Sequence, residues 1–575
     1  MSEVSGATPG AEPVPAADLD RVVGEVASRA DAWSRVGPAE RAAILDQVVA
    51  DTARVADGWL RAACAAKGYD PGSAEGGEEA FSGIGTLLRL ARALRTSMID
   101  LATVGRPRYA GPVAHRSGDR LAIQVAPDGA FDRILFPGLR AEVWMAPGVT
   151  EEEVRATQGA AYRDPRSHAG VAVVLAAGNV ASLGPRDALN QLFVEGRVVV
   201  LKANPVNAYL VPFWEEALAA LVAPGYLRIA TGGPAVGAHL VSHPRVGEVH
   251  LTGSAATHDA IVFGPGPEGD RRKAANEPVL TTPVTCELGN VSPIILVPGA
   301  WSQRELSYQA RHVATMLANN AGFNCLAPRV LVTAASWPQR GAFLDELEGV
   351  LASLPPRRAY YPGAFARRDR FVAAHPDARV LGTPGADDTM GWTLIRDVDA
   401  AATDDISFTT EAFCALMSET ALAADSAAAF LGAAVDFCND VLWGTLSATI
   451  LVDPRTGRDP AVAVALDRAV ADLRYGSIGV NAWHAMSFVL GTTVWGAHPG
   501  HAATDIQSGR GFVGNALLFA QPERSVVRGP FTSWPDPLWF ATSQRSGPGL
   551  RRLVDFESQP SWGRLPRLAL AAMRP

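Results

Sequence analysis

Ala169-Gly170-Val171-Ala172-Val173-Val174-Leu175-Ala176-Ala177 is an unbroken apolar run that stops at Gly178-Asn179. A strand with one wet face alternates polar and apolar residues. A run with no polar residue suits a parallel strand covered on both faces. A helical stretch follows over about 185–195, then a second run, Val198-Val199-Val200-Leu201-Lys202. Another helix is expected over 213–221, then Leu227-Arg228-Ile229-Ala230, Gly232-Gly233-Pro234, a short helix, and Glu248-Val249-His250-Leu251-Thr252-Gly253-Ser254. This alternation of strand and helix predicts an α/β fold on a doubly wound parallel sheet. Ligands of such sheets sit at the carboxyl ends of the strands, where Asn179, Lys202, Thr231 and Ser254 lie. There is no G-x-G-x-x-G, so a dinucleotide would be gripped in some other way.

Upstream, residues 18–67 read as amphipathic helices, with Pro38 in a first turn and Ile44, Leu45, Val48, Val49 and Val55 at helical spacing. Residues 80–99 read as another helix, basic on its outer face, without assigned chemistry. Residues 106–163 break into short alternating runs with turns at Pro127-Asp128-Gly129 and Pro147-Gly148, and read as β-hairpins. Residues 1–17 are rich in Ala, Pro and Glu, with neither the basic start nor the apolar core of a signal peptide, and read as a disordered tail. Downstream, residues 261–284 read as a Gly/Pro/charge-rich surface loop. Then come Cys286-Glu287-Leu288-Gly289-Asn290, a strand at Pro293-Ile294-Ile295-Leu296-Val297, a helix over 305–317, and Asn319-Asn320-Ala321-Gly322-Phe323-Asn324-Cys325-Leu326-Ala327-Pro328. Alternation continues to about 480, with an alanine-rich helix over 421–434. The last sixty or so residues read as loop-rich, with a strand-like run at Ala516-Leu517-Leu518-Phe519.

The chain has 575 residues, 48% of them hydrophobic, enough for two or three domains. A formal net charge of −8 without a dominant basic patch argues against nucleic acid or an anionic membrane as partner. No apolar run is long enough for a transmembrane helix. Five cysteines without a paired pattern fit reduced thiols in the cytoplasm rather than a disulfide framework or a zinc site. His498 and His501 lack partners at metal spacing, so no metal is expected.

A cysteine at a helix-to-strand turn, flanked by small residues and amides, is either a buried core residue or a nucleophile able to carry an acyl group. The order of the surrounding motifs decides between them. Gly178-Asn179, Lys202 at the end of its strand, Leu251-Thr252-Gly253-Ser254, Glu287-Leu288-Gly289, Cys325, Glu411-Ala412-Phe413 and Gln507-Ser508-Gly509-Arg510-Gly511 together resemble the aldehyde dehydrogenase superfamily over roughly residues 20–520. The resemblance implies an α/β chain with a doubly wound parallel-sheet cofactor domain, an α/β catalytic domain and a small β oligomerisation flap. Residues 18–120 and 165–287 would bind NAD or NADP, 288–510 would carry catalysis, and 121–164 with 511–575 would mediate self-association as a homodimer or homotetramer.

The resemblance also assigns roles. Cys325 is the nucleophile, Asn179 with the Cys325 backbone N–H stabilises an oxyanion, and Glu287 is the base that hydrolyses a thioester. Lys202, Asn204, Gly253, Ser254, Gly289, Glu411 and Phe413 are expected to hold the dinucleotide. Each has an ordinary reading as well. Asn179 and Ser254 suit helix caps, Lys202 a snorkelling lysine, Glu287 and Glu411 ends of elements, and Phe413 the core. Position 205, where NAD-strict members often place a carboxylate, is proline, so NADP is tolerated, with Arg228 a potential phosphate partner. Trp483, His484, Met486, Phe488 and Trp495 read as either core or the lining of a substrate tunnel. The chain departs from the family pattern at Asn290, Val291, Cys414-Ala415 and His258. A CoA-linked acyl reaction and a non-catalytic scaffold are the alternatives to aldehyde oxidation. Retention of both Glu287 and Cys325 favours oxidation with hydrolysis.

Overall fold

The structure, a computed structural model, describes residues 14–382, 385–386 and 388–573. The tail expected over 1–17 lies outside the described residues up to 13, and Ala16 and Ala17 already open the first helix, Ala16–Ala27.

Two sheets organise the chain. The apolar runs read from sequence form the heart of a six-stranded sheet, in the spatial order Gly509–Arg510, Val284–Glu287, Val246–Thr252, Val171–Leu175, Val198–Lys202, Leu227–Ala230. Its five longer strands are parallel, and only Gly509–Arg510 runs antiparallel, against Val284–Glu287. Val171–Leu175 and Val198–Lys202 are buried along their whole length, as an unbroken apolar run requires. Helices including Leu183–Phe193 and Pro38–Lys67 cover this sheet and share one core with it.

The second sheet has eleven strands. Its centre is a parallel array in which Pro293–Leu296 lies between Val330–Ala334 and Ser447–Leu451. Ser477–Val480 follows Ser447–Leu451 and pairs in parallel with Pro522–Arg528. Pro522–Arg528 in turn pairs antiparallel with Arg140–Met145, and so joins the hairpin strands Val113–Arg116 and Arg120–Ala126 to the sheet. A C-terminal strand thus pairs with the 106–163 ribbon within one chain.

Several local expectations change. The strand near the C-terminus is Pro522–Arg528 rather than 516–519, where Leu518 turns the chain through a positive φ of 57°. The loop expected over 261–284 contains a helix, Gly266–Ala275, with Pro267 in its first turn and Asn276 in the left-handed region behind it. The 106–163 ribbon is interrupted by a helix, Ala130–Leu135. It ends in another, Glu151–Thr157, fixed by a reciprocal capping box between Thr150 and Glu153. The loop-rich tail contains the helices Ser546–Ser558 and Leu565–Met573. The helix at 80–99 is not basic on an outer face throughout: Arg89 is buried and pairs with Asp132 and Glu557, and Arg92 also reaches Glu557. Among the described residues, no helix is long and apolar enough to cross a membrane.

Candidate active site

The cysteine stretch is bent by an unusual backbone. After the helix Gln303–Ala318, Asn320, Ala321 and Gly322 adopt positive φ in succession, 52°, 56° and 77°. Non-glycine residues there cost about 1 kcal/mol each, so neighbours must hold the turn. A Cβ on Gly322 would run into the Cys414 carbonyl, which makes glycine necessary. The fully buried Arg329 is the main clamp. Its guanidinium donates to the Gly322 carbonyl at 2.7 Å and the Asn324 carbonyl at 3.3 Å, and across to the Cys414 carbonyl at 2.8 Å. On the far side of Cys325, the Leu326 carbonyl accepts from the Trp483 indole at 3.0 Å and lies 2.8 Å from His484 Nε2.

A second buried network holds Asn179. Lys67 Nζ lies 2.6 Å from Glu79, 2.9 Å from Asn320 Oδ1 and 3.3 Å from the Asn179 carbonyl. The Asn320 amide donates to the Asn179 carbonyl at 2.9 Å and to the Phe323 carbonyl at 2.8 Å, and the Tyr360 hydroxyl donates to the Asn179 carbonyl at 2.8 Å. The Asn179 side-chain amide gives one N–H to the Phe323 carbonyl at 3.2 Å, two residues before Cys325. The second N–H has no partner in the chain among the described residues. Asn179, read as a possible helix cap, caps no helix; the helix that follows begins at Leu183.

Cys325 is half-buried, and Glu287 is buried beside it at the end of strand Val284–Glu287. Burial pushes the Glu287 carboxyl up to about 7, although the Cys325 thiol and the Trp495 indole both face it and favour its charge. Burial, and then the Glu287 charge, push the Cys325 thiol well above its ordinary range. Among the described residues, Glu287 Oε2 and Glu411 Oε1 are buried without hydrogen-bond partners. Glu411 is likewise pushed up to about 7 by burial, against the pull of Arg329. A Cβ on Gly289 would strike the Glu411 carboxyl, so Gly289 serves to bring that carboxyl in. Phe413 takes a positive φ of 42° and packs edge-on to Tyr361, with ring centroids 5.1 Å apart.

The remaining predicted residues line the rim of the smaller sheet. Lys202 is buried at its strand end, and no chain acceptor bonds its ammonium among the described residues. Burial brings it down to about 8. Asn204 caps the turn Pro205–Leu210 by accepting from the Val206 N–H at 3.0 Å. Gly253 and Ser254 are exposed, and Ser254 caps the helix Ala255–Val262. The Gly253 N–H donates to the Glu287 carbonyl at 3.0 Å, tying the rim to the end of strand Val284–Glu287. Arg228 is engaged by Glu25 at 3.1 Å and by the Val222 carbonyl at 2.6 Å, so the sequence reading of a phosphate partner does not fit its surroundings.

The departures from the family pattern are packing. The Asn290 amide donates to Ser292 and to the Ser447 carbonyl, Val291 is core, and Cys414 offers its carbonyl to Arg329. Lys67, Arg329 and Tyr360 escaped sequence reading because the partners that tie them to the site, Asn179 and Asn320 for Lys67 and Tyr360 and Cys414 for Arg329, lie far away along the chain. Of the tunnel residues, Trp483, Met486 and Phe488 line a cavity that opens onto Cys325, whereas His484 and Trp495 are buried behind it. Cys286 is a buried strand residue. No metal-ligating cluster occurs among the described residues.

Residues 143–358 match the aldehyde dehydrogenase family model. A probable aldehyde dehydrogenase of Streptomyces coelicolor is 32% identical over 160 residues, 27% of this chain and 28% of that protein. The match thus spans less than a third of that relative's length. A chloroplastic betaine aldehyde dehydrogenase of Atriplex hortensis is 43% identical over 74 residues, 13% of this chain and 12% of that protein. Among solved structures, the indole-3-acetaldehyde dehydrogenase of P. syringae, in complex with NAD+ and IAA, superposes with a TM-score of 0.60 at 19% identity, over 89% of each chain. The NADP-dependent glyceraldehyde-3-phosphate dehydrogenase of Bacillus halodurans, complexed with NADP, gives 0.60 at 17% identity, over 89% of this chain and 91% of that one. At such identities the superpositions speak for the fold.

Proposed function

We propose that the chain is a member of the aldehyde dehydrogenase superfamily, whose model residues 143–358 match, and that it oxidises an aldehyde to a carboxylic acid with NAD or NADP. The observation that carries this reading is the Cys325 thiol set against the buried Glu287 carboxyl and lining a cavity, with the Asn179 amide bonded to the Phe323 carbonyl two residues before the thiol.

A dinucleotide suits the rim. Among the described residues, Lys202 offers a buried ammonium without a chain acceptor, Gly253 and Ser254 lie open at a strand end, and Glu411 holds a buried oxygen without a partner. Lys202 and Ser254 would hold its ribose and phosphate groups, and Glu411 with Phe413 its nicotinamide half. Position 205 carries no carboxylate to repel a 2′-phosphate, so either dinucleotide is accepted. When bound, it supplies the hydride acceptor.

The chain's own groups act before and after that transfer. Cys325 gives its proton to solvent and adds to the aldehyde carbonyl as thiolate, forming a thiohemiacetal and leaving Glu287 free to act as base later. The free Asn179 N–H and the Cys325 backbone N–H stabilise the developing oxyanion, each worth about 3 kcal/mol of barrier. At the thioester stage, Glu287 takes a proton from water, which attacks the acyl carbon and releases the acid and the Cys325 thiol. A base with a pKa near 7 can both accept and return a proton near neutrality. That contact between base and thiol supports hydrolysis over transfer to CoA, and leaves the scaffold reading without a reason for burying both groups.

We extend the proposal to a cytoplasmic homodimer. All five cysteines are free, and Val113–Arg116 ends the large sheet with one edge available for pairing. The deciding experiment mixes the protein with NAD+ or NADP+ and a panel of aldehydes, and follows the absorbance of the reduced nicotinamide. Turnover should appear and vanish in Cys325→Ala. Turnover that survives that substitution refutes the nucleophile assignment. Sedimentation equilibrium tests the dimer.

A further inference from the structure

Cys325 lies at the inner end of a cavity of about 710 Å³, within the range that holds a sizeable organic ligand. One wall comes from the body of the fold, with Phe81, Leu183, Trp483 and Phe488. The facing wall comes from the chain beyond strand Pro522–Arg528, with Trp539 and Leu553. This second wall is a built part of the fold. Helix Ser546–Ser558 buries Leu550, Leu553, Val554 and Phe556, and its buried Glu557 sits between Arg89 and Arg92.

The cavity has no charge to offer a substrate. Among the described residues, neither lysine nor arginine lines it. Glu78 is occupied by Arg357 at 3.0 Å and by the Asn320 backbone N–H, and Asp536 by Arg311 at 3.0 Å. His312 is stacked on Phe540 and kept neutral by burial. A phosphorylated or carboxylated aldehyde would lose its water there and find no cation in return. The apolar lining continues outward to the surface at Ile134, Trp534 and Trp562, which are 50%, 83% and 64% exposed. Large apolar side chains left in water around an opening mark a surface made for an apolar ligand.

We infer that the substrate is a neutral aldehyde with a medium-to-long hydrocarbon chain. Its carbonyl sits at Cys325, its chain fills the cavity, and its far end leaves between Trp534 and Trp562. The inference rests on the oxidation reading given above.

The test compares butanal, octanal and dodecanal with a phosphorylated aldehyde and with betaine aldehyde as charged controls. kcat/KM should rise about three- to fourfold per added methylene until the cavity is full. The double variant Trp534→Ala/Trp562→Ala should lower the dodecanal-to-butanal ratio of kcat/KM about tenfold. A preference for butanal or for either charged aldehyde overturns the inference while leaving oxidation intact. Dodecan-1-ol binding to Cys325→Ala, followed by calorimetry, separates the two readings. Binding that strengthens from butan-1-ol to dodecan-1-ol, without oxidation of any aldehyde by the wild type, upholds the apolar site and overturns the oxidation reading. No gain in affinity with chain length overturns the apolar site.

Discussion

Glu287→Gln should make the protein more stable, and only above acid pH. Burial holds the Glu287 carboxyl near 7 against an ordinary value of 4.5. Between those values the folded chain keeps a proton that the unfolded chain gives up, so folding loses stability as pH rises from about 4.5 to about 7. At about 1.4 kcal/mol per unit, the loss levels off near 3 kcal/mol in neutral and alkaline buffer. Glutamine has the same shape, has no proton to lose, and escapes the loss. With an unfolding entropy of about 2.1 cal/mol/K per residue over 575 residues, about 3 kcal/mol corresponds to a Tm gain of about 2–3 °C. The assay is a melt of both proteins across buffers from about pH 4 to pH 8. The Tm difference should be close to zero at the acid end, open through the interval, and stay constant beyond it. In the same variant, one equivalent of reduced nicotinamide should form per site and turnover should stop, because the thioester lacks its base. A Tm difference that does not vary with pH, or that narrows as pH rises, refutes the argument that Glu287 is held protonated by burial.

Three further outcomes follow from the same geometry. Removing the Glu287 charge lets the Cys325 thiol ionise more readily, so iodoacetamide should alkylate Cys325 faster in Glu287→Gln than in wild type at equal pH; peptide mass mapping reads the rate, and a slower rate sinks the coupling. Asn179→Ala keeps the backbone carbonyl bonded by Lys67, Asn320 and Tyr360 but removes an oxyanion donor, and should lower kcat by about 10²–10³ with little change in the melt. Lys67→Met leaves Glu79 buried and unpaired at a cost of about 3–5 kcal/mol. Lys67→Met/Glu79→Met should recover most of that loss in a urea titration, and failure to recover it would mean that the pair is not what stabilises this corner.

Much of this was legible in the residue order. The runs at 171–175 and 198–201 fit covered strands, because no polar residue marks a wet face. Cys325, Glu287 and Asn179 stood out because their motifs fall in the order that resembles the aldehyde dehydrogenase superfamily. Helix signals at 150–157 and 266–275 were present as a capping box and a Pro–Asn start and stop, but turn residues in the same stretches masked them. The C-terminal helices were hidden by proline and glycine punctuation. They are stable because Leu550, Leu553 and Phe556 find an apolar surface elsewhere in the fold.

Alone, the sequence determined the local rules: which runs are buried strands, where strands end, and which reactive side chains stand at those ends. Period, propensity and turn chemistry are properties of neighbours along the chain. The tertiary structure decided what those residues meet. It put Glu287 against Cys325 in a place dry enough to hold the carboxyl near 7, and used Arg329 and Lys67 to hold a left-handed turn. It also made parts of the segment 529–569 a wall of the cavity that Cys325 lines. Burial and charge pairing depend on distance in space, and the sequence does not carry that distance.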